Sequence, residues 1–169
     1  YNYIFDPRVF LKRFSDEQRK RTILLVDEAH NLVERGREMF SAELEKKVFL
    51  DVKRAYGSTN PDLSNAAKVI NALMIQYKKE LEGQKSVAYS KKPEELLEVL
   101  EQFILYAGEE LTRNQYGGPS LQNDLLDIFF KVQNFLKIAK FYNENYVTHV
   151  IKESNNLYIK MFCLDPSLN

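Results

Sequence analysis

The apolar positions of this chain recur with the period of an α-helix over most of its length. Between residues 31 and 145, four stretches carry an apolar residue every three or four positions, which places those residues on one helical face. The stretches cover about 31–56, 60–83, 93–111 and 120–146. Asn60 followed by Pro61 is a typical cap and first turn for the second stretch. The pattern therefore predicts a block of four helices.

Both ends of this block carry patterns of β-structure. Residues 22–26 hold four apolar residues in succession, which favours a strand buried on both faces, as in a parallel sheet between helices. Residues 146–152 and 157–163 are rich in β-branched and aromatic residues and flank a polar turn, so they predict a β-hairpin. The predicted fold class is mainly α, with four helices and a few short strands.

Composition excludes several classes of protein. The 24 basic and 24 acidic residues balance, so no net positive field attracts nucleic acid. The single cysteine excludes a disulfide framework and a cysteine-held metal cluster within these residues. No apolar run approaches the roughly 18 residues that a membrane span needs, so we expect a cytoplasmic location and no membrane partner.

Two carboxylates and a histidine follow the strand predicted over 22–26, in the sequence Asp27-Glu28-Ala29-His30. Ligands gather outside the carboxyl ends of such strands, and the arrangement is that of a Walker B segment. Asp27 would bind the Mg²⁺ of Mg·ATP, usually through water, since this cation keeps much of its hydration shell. Glu28 would orient and polarise the water that attacks the γ-phosphate, and His30 would sense that phosphate. Glu28 and His30 are the candidate catalytic residues.

Two stretches resemble the XPD/DinG-like branch of the superfamily 2 DNA helicases. The first is Tyr1-Asn2-Tyr3-Ile4-Phe5-Asp6-Pro7-Arg8, followed by the DEAH box at residues 27–30. The second, Cys163-Leu164-Asp165-Pro166-Ser167, is similar to the family segment that leads the chain back into the motor. Residues 31–40 resemble the bacterial DinG-type proteins. Because the chain begins within a motif of this family, we expect it to be a fragment of a longer protein.

The resemblance implies a division of the chain into three parts. Residues 1–30 would be the edge of a RecA-like motor domain that carries the Walker B segment and DEAH box. Residues 31–145 would be a helical Arch domain, and residues 146–169 the hairpin and return strand to the motor. The implied function is that of an ATP-dependent DNA helicase whose Arch helps to enclose single-stranded DNA.

The same resemblance implies the ligands of the intact protein. These are ATP with Mg²⁺, single-stranded DNA, and the remaining motor and iron–sulfur domains of the same chain. The iron–sulfur cluster would be held by an upstream segment, because the four cluster cysteines of the family are absent from residues 1–169. The Gly-rich Lys-Ser/Thr phosphate loop is absent from these residues too. We therefore expect the fragment alone to be inactive as an ATPase.

DNA contact by the helical block is implied by the resemblance and not by the charge pattern. A rim of lysines would follow the phosphates of a DNA strand, and such binding weakens steeply with salt. The candidate DNA-binding residues are Lys78, Lys79, Lys85, Lys91, Lys92, Lys137 and Lys140.

Two other classes of function stay open. A non-enzymatic helical protein-interaction module would make the DEAH match accidental, because acidic pairs are common in solvated loops and a lone histidine is usually structural. A DEAH-family ATPase stimulated by RNA would keep the box and change the nucleic acid. A phosphate loop upstream of Tyr1 would exclude the first class, and cluster cysteines there would argue against the second.

Overall fold

The computed structural model describes Ile23, Leu25, residues 27–113 and residues 119–166. Within these residues the chain forms five helices and a four-stranded antiparallel sheet with strand order β1-β4-β3-β2. In chain order the elements are α1 (Leu32–Met39), β1 (Ala42–Glu45), α2 (Lys46–Ala55), α3 (Pro61–Glu80), β2 (Ser86–Tyr89), α4 (Glu94–Arg113), α5 (Pro119–Ala139), β3 (Tyr146–Glu153) and β4 (Asn156–Cys163). The fold is therefore mixed α/β. Its sheet has four strands, whereas the prediction was a mainly α fold with a few short strands.

The hydrophobic core lies between one face of the sheet and the helices. The predicted hairpin is confirmed as β3 and β4, and every second side chain of β4 is buried. The helices bury their predicted apolar faces against these strands, with Phe49 of α2 and Phe103 of α4 in edge-to-face contact at 5.5 Å between ring centroids. Hairpin and helices thus share one core. In the described part of the chain, none of the helices has the length and hydropathy needed to cross a membrane.

The first predicted helix, over about 31–56, is divided into α1, β1 and α2. Ala42 and Leu44 are buried and Glu43 between them is exposed, which is the two-residue period of a strand. Leu44 pairs with Ile159 of β4, and the Oγ of Ser41 accepts a hydrogen bond from the backbone N–H of Cys163 at 3.0 Å. Pairing with a strand from the far end of the chain therefore overrides the helical period of these residues.

Three other boundaries differ from the prediction. The loop predicted over 84–92 contains β2, which pairs with β3. The last helix, α5, ends at Ala139 and not near Tyr146, because Tyr146 begins β3. Of the strand predicted over 22–26, only Ile23 and Leu25 are described; neither belongs to a strand, and they are 90% and 97% exposed. The prediction was that this stretch is buried on both faces, but the two residues that are described are exposed.

The start of α3 is confirmed, and its cap also satisfies a buried carboxylate. The Oδ1 of Asn60 accepts a hydrogen bond from the backbone N–H of Leu63 at 3.1 Å. The amide nitrogen of Asn60 donates to Glu110 Oε2 of α4 at 2.7 Å, and Glu110 is only 3% exposed. The side chain of Asn60 therefore caps α3 and connects it to α4 through a hydrogen bond.

Replacing Asn60 by alanine should lower the free energy of unfolding by about 2–3 kcal/mol, because it removes a helix cap and a hydrogen-bond donor to a buried carboxylate. Urea unfolding followed by circular dichroism measures this change. The matched control is Thr59→Ala, one position earlier and exposed, which should stay within about 0.5 kcal/mol of the parent. Equal stabilities of the two variants would contradict the role given to Asn60.

Candidate functional site

The DEAH box lies in a tight turn at the start of the described residues. Asp27 and Glu28 form the turn, a short 3₁₀ helix (Ala29–Asn31) follows, and α1 begins directly after it. Glu28 has φ 52° and ψ 40°, the left-handed region, which costs a residue with a side chain roughly 1–2 kcal/mol. The Oδ1 of Asp27 accepts from the Glu28 N–H at 2.9 Å, and the Glu28 carbonyl accepts from Asn31 N–H at 3.0 Å. Strained backbone of this kind occurs often at functional sites.

The structure brings two of the three predicted site residues into contact. Glu28 Oε2 lies 3.3 Å from His30 Nε2, and these side chains are 63% and 73% exposed. Asp27 is also exposed, directly before Glu28. An exposed carboxylate fits an Mg²⁺ ion that is held through water and through the phosphates of a nucleotide. Among the described residues, no group of three or more His, Cys, Asp or Glu side chains could hold a metal ion by itself. The turn therefore fits part of a Mg·ATP site.

The segment after the box contacts the segment that ends the described chain. The Nε of Arg37 in α1 donates to the carbonyl oxygen of Leu164 at 3.0 Å. A Cβ placed on Gly36 would lie only 2.9 Å from Pro166 Cγ, so this close approach requires glycine. Residues 36–37 and 164–166, near the two ends of the described chain, therefore lie next to each other.

Three of the seven candidate lysines lie in the last turns of helices. Lys78 and Lys79 are in the last turn of α3, and Lys137 is in the last turn of α5. The hydroxyl of Thr148 donates to the carbonyl of Lys91 at 2.8 Å and lies 3.2 Å from Tyr142 Oη. It therefore connects the segment before α4 with the segment after α5. Five of the seven lysines precede α4 in the sequence, and the other two lie in or just after the last turn of α5. The first group is Lys78, Lys79, Lys85, Lys91 and Lys92, and the second is Lys137 and Lys140.

A cavity of about 360 Å³ lies between α3, β2 and the first turn of α4. Its walls include the rings of Tyr77 and Tyr89, whose centroids are 6.4 Å apart at an interplanar angle of 61°. The Oη of Tyr89 donates to Glu80 Oε2 at 3.0 Å. The sequence pattern places Tyr77 on a buried helical face but gives no signal for the cavity, because β2 is not predicted.

Charges around the cavity act on both tyrosines. Burial, and then the carboxylates of Glu80 and Glu95, raise the pKa of the Tyr77 hydroxyl above its usual value. Burial and the hydrogen bond to Glu80 raise the pKa of Tyr89. Both hydroxyls are therefore harder to ionise than the hydroxyl of free tyrosine.

Cys163 does not fit the role of an iron–sulfur ligand. It is the single cysteine in the sequence, it is fully buried, and it lies opposite Tyr146 in the hairpin. Such clusters need several cysteine thiolates. The cysteine is therefore part of the core.

A family model matches the first part of the chain, which includes the DEAH box. Residues 1–49 match the family model DEAD_2, so this stretch carries a DEAD_2 domain of the XPD/DinG helicase type. The DEAD_2 family belongs to the ATP-dependent helicases. The match contains the box, α1 and β1 and ends within α2. The motif at residues 1–8 is inside the match but outside the described residues. No curated protein matches the chain.

Proposed function

We propose that this chain is part of an ATP-dependent DNA helicase of the XPD/DinG type, and more narrowly of the bacterial DinG type. It supplies the DEAH box at residues 27–30 and an Arch domain over residues 31–145, packed with the hairpin in one core, that helps to enclose single-stranded DNA. The observation that carries the proposal is the DEAD_2 match, because it contains the box together with the residues on both sides of it. Its location in the cell would be the cytoplasm.

The proposed chemistry of the box is the one that the family resemblance implies, and the geometry of the turn is compatible with it. Bound Mg·ATP supplies the γ-phosphate that is hydrolysed. Asp27 would hold the Mg²⁺ through water, and its carboxylate accepts a hydrogen bond from the Glu28 N–H. Glu28 would orient the attacking water and accept its proton on a carboxylate oxygen. His30, at 3.3 Å from that carboxylate, would position it and respond to the phosphate.

The contacts of α1 support the proposal that the helical part is an insertion. An inserted domain must leave and re-enter its host at neighbouring points. Arg37 contacts Leu164, and Gly36 lies against Pro166. Ile23 and Leu25 precede the box and are 90% and 97% exposed, which suits apolar residues that a motor sheet would cover in the intact protein. The return segment over 164–166 would lead to the same sheet.

Nucleotide hydrolysis would require further parts of the intact protein. Residues 1–169 hold neither the Gly-rich phosphate loop nor the cysteines of an iron–sulfur cluster. An arginine finger would come from the second motor domain. The proposal therefore includes that the fragment alone does not hydrolyse ATP.

Binding of oligo(dT) to the 169-residue chain should weaken by about tenfold or more between 50 and 200 mM salt, as expected for about three phosphate contacts. Fluorescence anisotropy of a labelled oligonucleotide measures this slope. Replacing Lys78, Lys79 and Lys85 by glutamine should lower the salt slope by about 2, since each contact to a single strand contributes about 0.7. Equal losses in a control that replaces Lys47, Lys68 and Lys131, or binding that ignores salt, would contradict the lysine rim.

The same measurement separates the two nucleic acids. The proposal expects oligo(dT) to bind at least as tightly as oligo(U) of equal length. Clear preference for oligo(U) would favour an ATPase that acts on RNA, because the 2′-hydroxyl is the feature that distinguishes the two strands.

A further inference from the structure

The cavity at the end of α3 is lined by aromatic, apolar and charged residues, and we call its charged residues the lip. Tyr77 and Tyr89 line the cavity together with Leu73, Pro93 and Thr148, and Thr148 is 1% exposed. A volume of about 360 Å³ is at the small end of ligand pockets, which are roughly 300–1,000 Å³. The lip carries Glu80, Glu94, Glu95, Lys91 and Lys92. The cavity therefore has room for one long side chain and not for an extended ligand.

The charges of the lip favour a cation inside the cavity. Three carboxylates face two ammonium groups, which leaves an excess of one negative charge. The negative charges also reach the interior, because Glu80 and Glu95 act on the hydroxyl of Tyr77 and Glu80 accepts from Tyr89. The faces of aromatic rings are themselves negative and attract cations. A phosphate in the same place would meet three carboxylates.

We propose that this cavity binds the guanidinium group of an arginine side chain from a partner protein. The planar guanidinium stacks on a tyrosine ring and donates two parallel hydrogen bonds to a carboxylate, and a lysine ammonium offers neither geometry. The two tyrosine rings lie edge to face at 61°, and both residues line the cavity. The aliphatic part of the side chain then covers Leu73 and Pro93.

This binding site goes beyond the helicase proposal, and it shares Lys91 and Lys92 with the proposed DNA contacts. Its residues come from α3, β2, the segment between β2 and α4, α4 and β3, all of which lie after the DEAD_2 match over residues 1–49. Failure of the arginine site would therefore leave the ATPase assignment unchanged, and the reverse also holds.

The direct test is a titration of the ¹⁵N-labelled 169-residue chain, followed by NMR. The peptide acetyl-Gly-Arg-Gly-amide should shift the amide signals of Tyr77, Tyr89 and Glu95, with a Kd on the order of 1 mM for so small a ligand. The same peptide with citrulline keeps the shape and loses the charge, so it should bind about tenfold more weakly. The same peptide with lysine in place of arginine has an equal charge without the planar group, so it should also bind about tenfold more weakly.

Variants of the lip give a second and independent readout. Replacing Glu80 and Glu95 by glutamine should weaken binding of the arginine peptide about tenfold, because two attractive charges are lost. The matched control replaces Glu98 and Glu101, which are exposed on α4 outside the cavity, and should leave binding unchanged. Lys91→Gln removes a repulsive charge and should strengthen binding about two- to threefold.

Three outcomes would overturn the proposal. The first is the citrulline or the lysine peptide binding as tightly as the arginine peptide. The second is a shift of the same tyrosine signals by inorganic phosphate or oligo(dT), weakened by Lys91→Gln, since this would make the cavity part of the lysine rim. The third is the absence of any shift at Tyr77 and Tyr89 with the arginine peptide.

Discussion

The substitution Glu28→Gln should lower the ATP turnover of the intact protein by at least about 100-fold while ATP still binds, because it removes the carboxylate that orients the attacking water and accepts its proton. Glutamine keeps the size of the side chain and adds no charge, so the turn that Asp27 stabilises should remain. Steady-state phosphate release gives the turnover, and fluorescent-nucleotide binding gives the affinity. The two measurements together separate a catalytic loss from a loss of the site.

The matched control for this prediction is Glu38→Gln. Glu38 is an exposed glutamate of α1, 3.8 Å from Arg35, and carries the same charge outside the box. It should leave turnover within about twofold of the parent, as expected for an exposed ion pair. Near-normal turnover of Glu28→Gln, or equal losses in both variants, would remove the assignment of the DEAH box as a hydrolysis site.

The substitution Phe103→Ala should lower the free energy of unfolding by about 3–5 kcal/mol, because it leaves a cavity at a fully buried position and removes an aromatic pair. Phe103 is 0% exposed and contacts Phe49 edge to face, so it joins α4 to α2 at the centre of the core. A loss of this size is a large part of the roughly 5–15 kcal/mol that keeps a domain folded. Urea unfolding followed by circular dichroism measures it.

Leu105→Ala is the matched control on the same helix. Leu105 is 67% exposed, so its truncation should change stability by no more than about 0.5 kcal/mol. The two positions are two residues apart and lie on opposite faces of α4, which makes the comparison a test of the core and not of helix propensity. A similar loss in both variants would show that the core does not lie where the structure places it.

The helices α3 and α4 were predictable because their signals are local. A buried helical face needs apolar residues every three or four positions, and the caps that begin a helix lie within a few residues of it. Asn60 and Pro61 begin α3 as predicted, and Pro93 precedes α4. The hairpin was predictable for the same reason, because its two strands and its turn are consecutive.

The strands β1 and β2 were missed because their partners are distant. β1 is four residues long and pairs with β4, and Glu45 of β1 contacts Asn156, 111 positions away. Such a short segment carries too few residues for a period to be recognised, so its conformation is decided by the strand beside it. The same holds for β2, which pairs with β3. These two pairings turn a predicted hairpin into a four-stranded sheet.

The sequence by itself determined the identity of the DEAH box, its family resemblance and the positions of α3, α4 and the hairpin. These features depend on neighbouring residues, and a motif needs only the right side chains at the right spacing. The tertiary structure alone decided the left-handed turn at Glu28, the contact of α1 with the end of the chain, and the cavity between Tyr77 and Tyr89. Each of these joins residues whose distance in space is fixed by packing and strand pairing, and no local pattern records that distance.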